Sequence, residues 1–359
     1  MIINSRSLLT SLLTCRSITT HRHLSLNNKP TLYETLKVIE SSPDVFIQPA
    51  ETLFVFPNRK SVFGGQIIGS AVYAAQKTLT KDYPLHSLHS YFLTAADNSS
   101  AISYKVTRLR DGKSFETRSV TAKQDDRIVF QCAMNFHRKE KGNMEHQYSM
   151  PQIDVPPPEQ LPSLQDHIQK LLEDKRLKPE MKPFVESILQ MPAKIDVRYC
   201  HQRDLLQPQP VWPAKEFVWM KSVESLPDYS HIHRSAVAYC SDRVLLPTAF
   251  LPYALNGYNS RIRMQASLDH SMWFHDDFDF DTKIDSNPSE EQSPIKPVQR
   301  SPDIPPIPPK VRVRADDWLL YELECPLHMN NRAWTSGRIW TRNGRLIVTC
   351  TQEGVIRCK

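Results

Sequence analysis

The first half of the chain reads as one apolar helix followed by four strands. Gly64-Gly65-Gln66 opens the run from Ile67 to Leu79, whose length and small residues predict a buried helix. Strands are predicted near residues 86–93, 103–110, 114–123 and 127–136. The last of these alternates so that one face carries Ile128, Phe130, Cys132, Met134 and Phe136.

The second half repeats this pattern. A helix-like stretch near 233–246 resembles the first helix, with Ser235-Ala236-Val237 matching Ser70-Ala71-Val72. The strand around His270-Ser271 matches that around His89-Ser90, and Arg345–Val348 matches Arg127–Phe130. The turn pairs Asp111-Gly112 and Asn343-Gly344 predict hairpins at corresponding places. An internal duplication is therefore indicated, and each unit is one long helix wrapped by an antiparallel sheet, an α+β class.

Other segments fall outside the repeat. Residues 1–30 are rich in Ser, Leu and Arg, carry no acid and resemble a targeting leader, although a tail without an address has the same composition. Residues 142–200 form a connector, with a helix predicted from Ser163 to about Asp174. Residues 282–314, rich in proline, predict a disordered insertion, or alternatively a proline-rich partner motif. The predicted units are thus 31–141 and 201–359.

Charge and cysteine usage argue against nucleic-acid binding and against a metal centre. The net charge is +6, but residues 1–30 supply +4 of it, which leaves too little for a nucleic-acid surface. The remaining positive charge suits a small anionic ligand. Seven scattered cysteines without a CxxC pair favour reduced thiols inside a cell and disfavour a metal centre. No apolar run is long enough for a membrane span.

Several known catalytic motifs are missing. The chain has no GxSxG nucleophile elbow, no HExxH zinc site and no glycine loop for phosphate. Asp277, Asp279 and Asp281 alternate as in a calcium loop, but Thr282 stands where the required glycine should be. The sequence predicts neither a metal nor a cofactor.

A set of longer motifs carries a family resemblance. The second half contains the nine-residue string Ser267–His275 and, near its end, Thr351–Arg357. The other matching segments are His86–Leu93, Gly112–Arg118, Asp317–Tyr321 and Asn331-Arg332. Together these resemble the type II acyl-CoA thioesterase family over roughly residues 30–140 and 200–357. The resemblance implies a double hot-dog fold and the hydrolysis of fatty acyl-CoA to free acid and coenzyme A.

The resemblance also implies a catalytic set. In that family an Asp, a Thr and a Gln activate water, and the matching positions are Asp242, Ser267 and Gln352, with Ser in place of the usual Thr. The hydroxyl is kept, but its rotamer is less fixed without the methyl group. Oxyanion donors are expected at the start of the first helix, at Gly65 and Gln66.

The residues themselves give partial support. Gln352 continues an apolar face formed by Leu346, Val348 and Cys350, and its counterpart in the first repeat is Met134. Asp242 aligns with Lys77 and lies among apolar neighbours. The competing interpretation is that it is an ordinary solvated acid on the surface of a helix. A small hydroxyl such as Ser267 is usually structural. His89, His270 and His275 are interpreted as scaffold residues and left out of the catalytic set.

Two rival functions stay open at this point. A hot-dog enoyl-CoA hydratase would be expected to contain an Asp-x-Asn-Pro-x-His pattern, which the chain lacks. A non-catalytic acyl-CoA-binding protein would not need Asp242, Ser267 and Gln352. The family resemblance further implies dimers or tetramers of the double unit. It also implies the peroxisomal matrix, although the leader favours the mitochondrial matrix and the ending Arg357-Cys358-Lys359 is not a Ser-Lys-Leu address.

Overall fold

Two helices of similar length lie against one long antiparallel sheet. The computed structural model describes residues 30–57, 59–140, 142, 144–152, 155–202, 204, 206, 211–253, 262–276, 278 and 304–358. Within those residues the α-helices are α1 Leu32–Leu36, α2 Gly64–Gln76, α3 Leu164–Glu173, α4 Lys182–Leu189 and α5 Ser230–Ser241. Short 3₁₀ segments are Ala50–Thr52, Pro158–Gln160, Pro179–Met181 and Leu246–Tyr253.

Strands from both halves of the chain join in this sheet. The strands of the described residues are β1 Ile39–Ser42, β2 Val45–Gln48, β3 Leu85–Phe92, β4 Ile102–Asp111, β5 Phe115–Gln124, β6 Arg127–His137, β7 Ile195–Tyr199, β8 Lys215–Ser222, β9 Ile262–Ser267, β10 Asp269–Phe274, β11 Leu319–Met329, β12 Arg332–Thr341 and β13 Leu346–Cys358. Their order is β1-β2-β4-β5-β6-β3-β10-β13-β12-β11-β8-β7, with β9 also paired to β13. The two repeats meet where β3 pairs with β10, Leu88 opposite Met272.

The two long helices run antiparallel and in close contact. A side chain at Gly69 of α2 would lie 2.8 Å from the carbonyl oxygen of Ser235 in α5. Further along, the Gln76 amide donates to the His231 carbonyl at 3.1 Å. The start of α2 therefore lies at the end of α5, and the reverse holds at the other end. One apolar core contains both helices and strands of both repeats, which confirms the predicted α+β double hot-dog fold.

The two repeats share a β-bulge. In β6, Phe130 is opposite Ala122 and Ile128 is opposite Lys123, so that Val129 is the extra residue. In β13, Ile347 is extra in the same way. The bulge turns Ile128 outward, 42% exposed, whereas the other four residues of its predicted face are buried. The prediction for Ile128 was therefore wrong because strict alternation stops at a bulge, and Leu346 leaves the buried face of β13 for the same reason.

Both predicted helix boundaries need correction. Helix α2 begins at Gly64, where the Gly64-Gly65-Gln66 opening was expected, but ends at Gln76 rather than Leu79. Helix α5 covers Ser230–Ser241 rather than 233–246, because the chain changes to a 3₁₀ segment containing two prolines after it. Asp242 is consequently the residue that ends α5 and does not lie within the helix. The hairpins at Asp111-Gly112 and Asn343-Gly344 form as predicted, with Gly344 at a φ of +86°.

The connector contains the predicted helix, α3. Ser163 caps its first turn through the Asp166 backbone N–H, and the Asp166 carboxylate returns the bond. Strand β7 pairs with β8, so the second part of the sheet begins at Ile195, inside the segment predicted as connector. We propose that the boundary between connector and second unit lies there.

The predicted insertion ends earlier than expected. Val313 is buried, and Arg314 donates to the Leu226 carbonyl at 3.0 Å and pairs with Asp316. These contacts exclude disorder at residues 313–314. The rest of the insertion up to residue 303, the leader except for Pro30, and Asp277, Asp279 and Asp281 lie outside the described residues. Among the described helices, none is long and apolar enough to cross a bilayer.

Candidate active site

Three side chains from separate elements meet at the end of α5. Asp242 ends this helix, Ser267 is the last residue of β9, and Gln352 lies within β13. The Gln352 amide nitrogen donates to Asp242 Oδ1 at 2.8 Å and also to Ser267 Oγ. Ser267 Oγ lies 3.4 Å from the same Asp242 oxygen. The structure therefore brings together all three residues that the resemblance had implied.

The topology of β13 explains why they meet. This strand pairs with β10 as far as Thr351 and with β9 from Gly354 onward. Gln352 lies at this change of partner, where the Leu268 N–H donates to the Glu353 carbonyl at 2.8 Å. The end of β9 and the middle of β13 are thus held side by side, and α5 ends over them.

Burial changes the acidity of Asp242. Desolvation raises the pKa of its carboxyl to about 6, although hydrogen bonds from Gln352, the Gly65 backbone and Ser267, and the charge of Arg243, all oppose the shift. Burial dominates because the carboxylate loses water that these donors only partly replace. A carboxylate with a pKa near 6 is mostly ionised at neutral pH and is a stronger base than an ordinary aspartate.

Gln352 is fully buried, and its amide is only half satisfied. Its nitrogen makes both bonds described above, but its Oε1 has no hydrogen-bond partner among the described residues. Met134, buried in β6, occupies the corresponding place in the first repeat. A buried amide with an unpaired oxygen costs stability and therefore calls for a functional explanation.

The start of α2 closes the other side of this site. Asp242 Oδ2 lies against Gly64, where a side chain would come within 2.8 Å of it, and the Gly65 N–H bonds to the Asp242 carboxyl. The positive end of the α2 dipole therefore faces the carboxylate. Only glycine leaves room for this approach at residue 64.

The residues predicted as oxyanion donors are engaged in other bonds. The Gly65 N–H goes to Asp242, and the Gln66 N–H bonds to the Phe63 carbonyl at 3.1 Å. The Gln66 side chain donates to Thr35 and Thr52 carbonyls and accepts from the Phe54 N–H. Gln66 thus ties two neighbouring segments to α2, which is a structural task.

Tyr321 and His270, which the sequence analysis left out of the catalytic set, both contact Ser241, the residue directly before Asp242. The Tyr321 hydroxyl donates to the Ser241 carbonyl at 2.8 Å, and Ser241 Oγ lies 2.9 Å from His270 Nε2. Both contacts hold the residue directly before Asp242. A side chain at Gly337 would overlap the Tyr321 ring, so glycine is needed there. The Asp317–Tyr321 motif drew attention to Tyr321, but nothing in the sequence showed that its side chain points toward Ser241.

The other two histidines of interest lie outside the site. His89 Nδ1 pairs with Ser271 Oγ at 3.1 Å, and His275 Nε2 pairs with Thr349 Oγ1 at 3.0 Å. Both side chains are on the exposed face of the sheet. Within the described ranges there is no cluster of His, Cys, Asp and Glu suited to a metal.

Comparisons with known proteins agree over most of the chain. Three sequence profiles match: an acyl-CoA thioesterase N-terminal domain over residues 56–137, an acyl-CoA thioesterase over 196–293, and an acyl-CoA thioesterase C-terminal domain over 308–356. Human acyl-coenzyme A thioesterase 8 is 35% identical over 301 residues, 84% of this chain and 82% of that protein.

A fungal relative and a solved structure extend the similarity. Peroxisomal acyl-coenzyme A thioester hydrolase 1 of Saccharomyces cerevisiae is 25% identical, over 68% of this chain and 80% of that protein. The crystal structure of an acyl-CoA thioesterase II from Mycobacterium marinum matches with a TM-score of 0.63 and 28% identity. That match covers 92% of this chain and 99% of the other.

Proposed function

This chain belongs to the acyl-CoA thioesterase family and hydrolyses acyl-CoA thioesters, and we propose that Asp242, Ser267 and Gln352 activate the attacking water. The observation that carries the proposal is the contact among these three side chains, together with the pKa of the Asp242 carboxyl, which burial raises to about 6. Water adds to the thioester carbon, the C–S bond breaks, and the products are a carboxylic acid and coenzyme A.

Asp242 acts as the general base in this scheme. It removes a proton from the water as the O–C bond forms, and the proton passes to the leaving thiolate. Ser267 and Gln352 hold the water in line with the thioester carbon. The contact between Ser267 Oγ and Asp242 Oδ1 is long, at 3.4 Å, so a water displaces it most readily. A thioester has little resonance stabilisation, so no covalent nucleophile is required.

The start of α2 is the proposed site of the oxyanion. The Gly65 N–H bonds to Asp242 before the reaction. When Asp242 takes a proton it becomes a weaker acceptor, while the thioester oxygen gains negative charge. The Gly65 N–H then donates its hydrogen bond to that oxygen instead of to Asp242, assisted by the helix dipole. Gln66 has no part in this scheme, because its N–H and its amide are bonded to backbone carbonyl and N–H groups.

The substrate class follows from the family. Fatty acyl-CoA is the proposed substrate, and the enoyl-CoA hydratase and the non-catalytic binding protein are not favoured by the relatives. Purified protein mixed with palmitoyl-CoA and a thiol-reactive dye should release coenzyme A in step with free palmitate. Binding without release of thiol would overturn the proposal, and so would hydration of an enoyl-CoA without thiol release.

Location and assembly are proposed from the relatives. The yeast relative is named as peroxisomal, so we place this protein in the peroxisomal matrix, with the mitochondrial matrix as the alternative favoured by residues 1–30. Imaging the whole chain, and residues 1–30 alone, as fluorescent fusions decides between them. A mitochondrial signal from both fusions would overturn the peroxisomal assignment.

We propose a homo-oligomer, a dimer or tetramer, on the family resemblance alone. Light scattering at catalytic concentrations measures the mass directly. A mass equal to one chain of 41.5 kDa would overturn this proposal.

A further inference from the structure

A buried histidine lies next to the unpaired end of the Gln352 amide. In the ladder between β10 and β13, Met272 is opposite Cys350 and Ser271 is opposite Thr351. One further step of this register places His270 across from Gln352. Directly opposite residues on neighbouring strands project from the same face, with Cβ atoms about 5 Å apart. Both side chains are indeed fully buried.

Each of these two side chains has one polar atom without a partner. His270 Nδ1 and Gln352 Oε1 are both buried and form no hydrogen bond within the part of the chain that the structure describes. They are close enough that the Gln352 amide raises the pKa of the imidazole, although burial is the larger effect and lowers that pKa to about 4. The ring is therefore neutral at physiological pH and carries a single N–H.

The position of that proton follows from the neighbouring bonds. Both hydrogens of the Gln352 amide are used, on Asp242 and on Ser267, so that only its oxygen faces the histidine. If His270 carried its proton on Nε2, two buried acceptors would face each other with no hydrogen between them. With the proton on Nδ1, His270 donates to Gln352 Oε1, and its Nε2 accepts from the Ser241 hydroxyl once that hydroxyl turns to the imidazole from the Ala238 carbonyl, which lies 2.8 Å from the same oxygen.

We propose that His270 is a positioning residue, whose Nδ1–H bonds to Gln352 Oε1 and keeps the amide nitrogen turned toward Asp242 and Ser267. An amide has nearly the same shape when its oxygen and nitrogen are exchanged, so packing alone does not select one orientation. The reversed amide would point its oxygen at the carboxylate of Asp242 and could not donate to it. His270 thus acts on catalysis through Gln352 and does not touch the substrate. The inference rests on the role proposed above for Gln352.

The test compares His270→Leu with His270→Asn. Leucine fills a similar volume without a donor, whereas the side-chain amide of asparagine can place an N–H near the position of Nδ1. We expect His270→Leu to lower kcat roughly 10-fold to 100-fold with KM little changed, as for other residues that orient a catalytic group. His270→Asn should recover most of that loss. His275→Leu is the matched control, because it makes the same change at a histidine remote from the three residues.

The pH dependence separates positioning from a merely structural role. Loss of the Gln352 donor should raise the pKa of Asp242, so the acidic limb of kcat/KM in His270→Leu should move up by roughly one pH unit. His270→Asn should keep the wild-type limb. A limb at the wild-type pH in His270→Leu would overturn the proposal, whatever the loss of rate. If His270→Leu does not fold, a shifted limb in His270→Asn would overturn it.

A double-mutant cycle locates the effect at Gln352. If His270 acts through this amide, adding His270→Leu to Gln352→Met should cause no further loss of kcat beyond about twofold. Multiplicative losses would overturn the positioning role and leave the catalytic assignment of Gln352 intact. Full activity of Gln352→Met alone would instead refute the proposed active site, so the two failures are distinguishable.

Discussion

The two ends of the antiparallel helix pair have the same backbone architecture but opposite chemistry. At one end, Asp242 terminates α5 beside the start of α2; at the other, Lys77 terminates α2 beside the start of α5. The strand behind the first end carries Gln352, and the equivalent strand behind the second carries Met134. The two repeats therefore supply equivalent positions and fill them differently.

The second end is chemically satisfied. Arg118, fully buried in β5 opposite Met134, pairs with Glu116 at 3.0 Å and donates to Thr78 Oγ1 and the Thr78 carbonyl just past α2. Glu116 also accepts from the Thr80 N–H at 3.0 Å. Each buried charge here has a partner, as expected of groups that stabilise a fold.

The first end is left partly unsatisfied. Asp242 has a raised pKa, and Gln352 Oε1 and His270 Nδ1 find no partner within the described residues other than each other, in the bond proposed above. Such groups cost stability and persist where they perform chemistry. The duplicated fold thus provides two equivalent positions, and the buried carboxyl and amide, rather than the fold, distinguish the proposed active site.

The largest effect is expected at Asp242, the proposed general base. Asp242→Asn should lower kcat by roughly 10²–10⁴-fold, because the water loses its proton acceptor while the shape of the side chain is kept. Thiol release from palmitoyl-CoA measures this loss. Lys77→Asn, at the equivalent residue of the other end, is the control and should keep kcat within about twofold. Equal losses in both variants would contradict the assignment of catalysis to one end.

Asp242→Asn should also be more stable than the wild type at high pH. The folded-state pKa of Asp242 is raised, so folding favours its protonated form. This contribution is fully present below about pH 4 and is lost as the pH rises to about 6, which leaves the ionised, buried carboxylate as a cost of at most about 3 kcal/mol at pH 8. Asp242→Asn should therefore raise Tm relative to wild type at pH 8 and much less at pH 4. The opposite pH trend would contradict the raised pKa.

Disrupting the second end should affect stability and leave catalysis unchanged. Arg118→Leu leaves Glu116 buried without its cation, which should cost about 3–5 kcal/mol in the free energy of unfolding. Urea unfolding measures this cost, and kcat per folded molecule should stay near wild type. Replacing both members, Arg118→Leu with Glu116→Leu, should recover part of the stability. A selective loss of kcat would show that the second end takes part in hydrolysis.

Exchanging the paired strand residues Gln352 and Met134 should show whether they set the difference between the two ends. Gln352→Met gives the proposed active end the residue found at the other end, so we expect kcat to fall roughly 10²–10³-fold with stability unchanged or higher. The mirrored variant, Met134→Gln, buries an amide without partners and should cost about 1–3 kcal/mol while kcat is retained. Retained activity in Gln352→Met would refute its proposed role in holding the water.

Much of the fold was predictable from the sequence, because alternation and turn residues specify local structure. Six strands and the hairpin at Gly344 follow such signals. The exposed position of Ile128 did not, because a bulge is set by the pairing of two strands. The early end of α5 was missed because apolar residues 244–246 continue the helical pattern although Pro247 prevents it.

The site was predictable only in part. Asp242, Ser267 and Gln352 came from a family resemblance, since nothing local distinguishes Asp242 from a solvated acid. Their meeting depends on β13 changing partner from β10 to β9, a long-range event that no sequence window contains. The support from Tyr321 likewise depends on a contact across 80 residues of sequence.

The pH dependence of kcat/KM is the decisive test of Asp242 as the general base, because it reports the ionisation of the base in the free enzyme. With palmitoyl-CoA as substrate, we expect kcat/KM to rise about tenfold per pH unit on the acidic side and to reach a plateau above a pKa of about 6, the value for Asp242. The residual activity of Asp242→Asn should lack this limb. A wild-type profile that stays flat down to the ordinary pKa of an aspartate, or a limb near 6 that survives in Asp242→Asn, would contradict the claim that this carboxylate activates the water.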